Sequence, residues 1–162
     1  MKLSILKLVL VIGLSLVIQS SVVTNFMPAG VTPDLLLVVV LLASLRMDEI
    51  PSLILAFISG MLQDFMSGKY VGPHIAGSLV AVYFLIVISK HVFADRALSL
   101  AFVCFLSVVL KQAISSLMVL SFIGLKGMTG LGLFPQILSI ALLSAIIAPL
   151  ISILLFRAKI KR

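Results

Sequence analysis

Charge is what this chain has least of. Twelve basic and five acidic residues make up 10% of 162 positions, against about 25% in an ordinary soluble domain. A soluble globular fold is therefore excluded as the main body of the chain. Cysteine is nearly absent too: Cys104 stands alone inside an apolar run, which excludes a disulfide framework and any cysteine-based metal site. A packed thiol is the expected role. There is no nucleophile elbow, P-loop, HExxH or GxGxxG pattern, so nothing supports soluble-type enzyme chemistry.

What is present is apolar. Hydrophobic residues account for 62% of the chain and the mean hydropathy is +1.37. Six membrane helices at about 20 residues each would use about 120 positions, and the remainder suffices only for loops and tails. The expected architecture is all-α and integral to the membrane: one compact transmembrane domain over 1–162, a bundle of about six helices. The net charge of +7 would point to nucleic acid in a soluble protein. In a membrane protein the placement of Lys and Arg carries the information instead, so no nucleic-acid partner is expected.

The expected spans are 8–23, 33–45, 51–66, 74–89, 97–124 and 133–156. The first follows Lys2 and Lys7 like a signal peptide, but it lacks a small-x-small cleavage site and leads into more membrane sequence, so it is expected to be retained. The second has only an eleven-residue apolar core, Leu35 to Leu45, and at about 1.5 Å per residue it cannot cross a core about 30 Å thick. Thr32-Pro33-Asp34 supplies an N-cap, a first-turn proline and an acidic N-terminal residue, so this helix is short or half-spanning. Glycine-rich segments after Ser67 and after Gly124 read as turns.

With six spans both tails share a side. That side holds Lys2, Lys7, Arg46, Lys90, Arg96, Arg157, Lys159, Lys161 and Arg162, whereas the other holds Lys69 and Lys126. The positive-inside rule places both termini in the cytoplasm, and the basic C-terminal tail suits anionic membrane lipids. His74 and His91 fall on opposite sides, which argues against a shared metal site.

A charge well inside a span is a functional-site candidate by default. Lys111 lies near the middle of the fifth span, with Ser107 and Ser115 on the same face at four-residue spacing. Asp64 lies near the outer end of the third, with Gly60, Gln63 and Ser67 on its face. The two faces could meet, and a Lys111 to Asp64 contact would lower the cost of both charges. Gln136 sits near the outer start of the sixth span. The candidate polar site is thus Asp64, Gln63, Lys111, Ser107, Ser115 and Gln136, and the plainer alternative is a set of structural polar contacts that fix helix packing. Gly60 and the Gly77-x-x-x-Ala81 pair permit close backbone approach. Tyr83 is expected mid-span with an internal partner for its hydroxyl.

The stretch from 33 to 84 carries a resemblance. Pro33-Asp34-Leu35-Leu36-Leu37-Val38-Val39-Val40, then Gly60-Met61-Leu62-Gln63-Asp64-Phe65-Met66-Ser67-Gly68, then Val71-Gly72-Pro73-His74-Ile75-Ala76 resemble the rod shape-determining protein MreD family. The match implies a bacterial inner-membrane protein with no cofactor and no catalytic role. It also implies a place in the cell-elongation complex that inserts lateral-wall peptidoglycan. The direct partner so implied is MreC, with MreB, RodZ, RodA and a class B penicillin-binding protein in the wider assembly, and a homodimer is compatible with it. Pro33, Asp34, Gly60, Gly68, Gly72, Gly77 and Ala81 are the expected packing or partner-contact positions. The family is also similar in fold to the S components of energy-coupling-factor vitamin transporters. Two functions follow: a non-enzymatic scaffold whose small-residue helix faces bind the MreC span, or a small-molecule carrier in which Lys111, Asp64, Gln63 and Gln136 line an outward-facing pocket. A membrane-embedded enzyme is a third class without a motif.

Overall fold

The computed structural model describes residues 5–23, 33–68, 70–89, 97–123 and 133–156. Among them there are six helices and no strand. Helix α1 (Ile5–Val17) runs on into a π-helical stretch, Ile18–Val23, and is followed by α2 (Leu35–Ser44), α3 (Glu49–Ser67), α4 (Pro73–Ser89), α5 (Ala97–Ile123) and α6 (Leu133–Phe156). By length and apolarity α3 and the Ser99–Ser121 part of α5 are able to cross a membrane, with mean hydropathies of 1.4 and 2.0.

The shortest described α-helix is the centre of the bundle. Nine of the ten residues of α2, Leu36 to Ser44, are buried, because a helix that is apolar all round has no face to give to a polar medium. It touches α1, α3, α4, α5 and α6, while α3 to α6 pack in chain order, each on the next. Leu37, Val38, Leu41, Ala81, Val82, Leu85, Cys104 and Val108 belong to one core cluster around it. Large apolar side chains are displayed outward instead: Ile54, Phe57, Ile58 and Phe65 on α3, Phe102 and Leu117 on α5, Leu142 and Ile146 on α6. This distribution suits a medium as apolar as the core.

Three local expectations shift. Helix α2 starts at Leu35 with Asp34 as its N-cap, whose side chain accepts from the Leu37 N–H, rather than with Thr32 in that role. Helix α3 starts at Glu49, two residues ahead of Pro51, since a proline in the first turn forfeits an N–H that has no intrahelical acceptor anyway. Tyr83 is 61% exposed and faces outward from α4. Most of the basic residues behind the topology expectation, and His91, lie outside the described residues.

Candidate functional site

A helix that begins inside an apolar bundle has a specific difficulty. Its first backbone N–H groups have no intrahelical acceptor, and apolar neighbours cannot take them. At the start of α2 every one of them is answered. The Asp34 N–H donates to Ser144 Oγ of α6 (3.0 Å), the Leu35 N–H to the Pro33 carbonyl (3.0 Å), the Leu36 N–H to Gln19 Oε1 (3.2 Å) and the Leu37 N–H to Asp34 Oδ1 (3.1 Å). The regular ladder then begins, Val38 N–H to the Asp34 carbonyl at 3.1 Å. Gln19 lies in the π-helical stretch that ends α1, so that widened turn carries the amide that caps α2.

The Asp34 carboxylate is itself buried, 4% exposed, and a lone buried charge is untenable. Its compensation comes from α5 and α3. Lys111 Nζ donates to Asp34 Oδ2 and also to Gln63 Oε1, while Gln63 Nε2 donates to Asp34 Oδ1 at 2.8 Å. The three side chains form a closed ring in which cation, anion and amide satisfy one another. Lys111 is 1% exposed, and its backbone and stem fit because residue 77 is glycine. A Cβ there would stand 2.7 Å from the Lys111 carbonyl oxygen and 2.9 Å from its Cγ.

The expected Lys111 to Asp64 contact is therefore corrected: the ion pair of Lys111 among the described residues is with Asp34. Asp64 is buried but already committed. It accepts from the backbone N–H groups of Gly72 (2.8 Å), His74 (3.0 Å) and Ile75 (3.2 Å), capping the start of α4 across the turn. Three N–H donors and the positive end of a helix dipole stabilise a carboxylate without a cation. The turn itself needs glycine at both Gly68 and Gly72, whose φ angles are +62° and +125°.

Of the other candidates, Ser115 Oγ donates to the Pro73 carbonyl at 2.8 Å and ties α5 to the head of α4. Ser107, one turn before Lys111, is fully buried and its hydroxyl has no partner among the described residues. The Gln136 side chain lies outside the described residues. Gly60, Gly77 and Ala81 are buried within the chain. A Cβ on Gly60 would stand 2.6 Å from Ile75 Cα. Of the two roles expected for these small residues, packing or partner contact, Gly60 serves α3 to α4 packing and Gly77 serves α4 to α5 packing.

Beside the ring lies an open cleft of about 390 Å³. Gln19, Ser20, Asp34, Gln63, Ser67, His74 and Gln112 form its polar walls, with Leu16 and Met66 as the apolar ones. Of the residues expected to line a carrier pocket, Gln63 does so, whereas Lys111 and Asp64 stand behind the walls, each engaged with protein groups. Sequence reasoning missed Asp34 as the counterion, Gln19 and Ser144 as caps, and His74 and Gln112 as cleft residues. For Asp34 a signal existed: a helix too short to span must start inside the bundle, and its first acidic residue starts there with it.

A family model described as the rod shape-determining protein MreD matches residues 1–158. Neither curated proteins nor solved structures give a match. The chain belongs to the MreD family, whose members are membrane components of cell-shape determination.

Proposed function

We propose that this MreD-family chain is a non-enzymatic membrane scaffold of the bacterial cell-elongation complex, acting in lateral-wall peptidoglycan synthesis by binding MreC through its helices. In this reading all six helices lie in the inner membrane and both termini face the cytoplasm. The observation that carries it is the commitment of every buried charge among the described residues. Asp34 and Lys111 neutralise each other, and Asp64 holds the head of α4, so these three charges fix helix positions. The outward surface is then made of large apolar side chains, notably Ile54, Phe57, Ile58 and Phe65 along α3. In lipid such a surface gains nothing from burial alone, and a single-span partner is selected by packing.

The test is affinity purification of the full chain from its native membrane, with mass spectrometry of co-eluting proteins. Recovery of MreC near stoichiometry is the expected result. A preparation that brings down an ATPase pair and no MreC would overturn the scaffold reading in favour of a carrier.

A further inference from the structure

The scaffold reading has no use for the cleft beside the Asp34–Lys111–Gln63 ring, yet the sequence spends scarce residues on it. The whole chain has four glutamines, and three of them, Gln19, Gln63 and Gln112, line this one cleft. Gln19 uses its carbonyl oxygen on the Leu36 N–H and keeps its amide nitrogen clear of other described residues. Gln112, half-buried one residue beyond Lys111, has no hydrogen bond to any described residue. Structural capping accounts for Gln63 and half of Gln19, and for nothing at Gln112.

The wall chemistry narrows the occupant. Lys111 is not on the cleft surface, so an anionic group meets the Asp34 carboxylate with no lysine or arginine among the described lining residues to receive it. A cation fares no better, because Asp34 Oδ1 already accepts from Leu37 and Gln63, and Oδ2 from Lys111. What the walls offer is amide, hydroxyl and imidazole, the groups that pair with neutral hydroxyls and carbonyls. The cleft lies at the small end of ligand-site sizes, about 300–1,000 Å³, which fits a single ring. Its apolar walls, the exposed Met66 on α3 and the half-buried Leu16 on α1, suit the start of an acyl chain.

We propose that the cleft binds the uncharged, polyhydroxylated headgroup of a membrane glycolipid, with Gln112 and the Gln19 amide as its free hydrogen-bonding groups. The same ring chemistry could arrive as a soluble sugar, and the test separates the two. The full chain is reconstituted in phosphatidylcholine nanodiscs and released into native mass spectrometry with three probes: monoglucosyl diacylglycerol, methyl glucoside and phosphatidylglycerol. A one-to-one adduct with the glucolipid is expected, weakened at least tenfold by Gln112→Leu, a substitution that removes no hydrogen bond to a described residue. Thermal unfolding of the variant without glucolipid should match that of the parent chain. Binding of methyl glucoside as tight as that of the glucolipid supports recognition of the ring but transfers the site from lipid to soluble sugar. Preferential retention of phosphatidylglycerol, no adduct with either glucoside, or a glucolipid adduct indifferent to Gln112→Leu would overturn the proposal.

Discussion

Asp34 and Asp64 both cap the head of a helix, Asp34 that of its own α2 and Asp64, from the last turn of α3, that of α4, and they are held in opposite ways. Asp64 collects three backbone N–H groups from the turn into α4. Asp34 receives one, from Leu37, and makes up the difference with the Gln63 amide and the Lys111 ammonium. The difference lies in the approach of the chain. Before α4 the turn through Gly68 and Gly72 folds the backbone of residues 72–75 back over Asp64, whereas Asp34 caps its own helix and reaches only the N–H three residues on. A carboxylate supplied with enough backbone needs no counterion, and one that is not recruits a lysine from a helix 77 residues away.

The strongest way to break this comparison is at Lys111. Lys111→Met leaves Asp34 charged and unpaired in the interior, and should cost roughly 3–5 kcal/mol, read as a fall in the thermal unfolding midpoint of the reconstituted protein. Asp34→Asn combined with Lys111→Met should recover most of that loss, while Asp64→Asn combined with Lys111→Met should recover none. Rescue by the Asp64 partner instead would reassign the counterion. A smaller effect is expected from Gly60→Ala. The new methyl meets the His74–Ile75 backbone and displaces the donors that hold Asp64, for about 1–3 kcal/mol. Hydrogen exchange should report it at the head of α4 and leave the α2 amides protected. Least costly is Ser144→Ala, which strips one acceptor from the Asp34 N–H at about 1 kcal/mol. A loss as large as that of Lys111→Met would mean that α6 anchors α2 more than the ion pair does.

The helices over 73–89 and 133–156 were legible almost to the residue, because apolar runs bounded by turns are local features and helix formation is a local event. The short second span was legible too, as a run too brief to cross. Its partners were not. Lys111 had two acidic residues to choose from within the apolar stretches, and spacing on α3 favoured Asp64, which shares a face with Gln63 only approximately. Gln63 reached the ring and Asp64, one residue on, was turned toward the head of α4.

Composition, span lengths and the residues of the rod-shape family stretch were enough to establish an all-helical chain of that family. Which charges meet was decided by tertiary structure alone. The sequence lists donors and acceptors without saying how many backbone N–H groups each carboxylate will find, and that number depends on how a buried helix end is approached by α1, α3, α5 and α6 at once. Small residues show the same division: Gly60 and Gly77 announce a close approach in any sequence, but only the packed bundle reveals that the surfaces approaching are the chain's own.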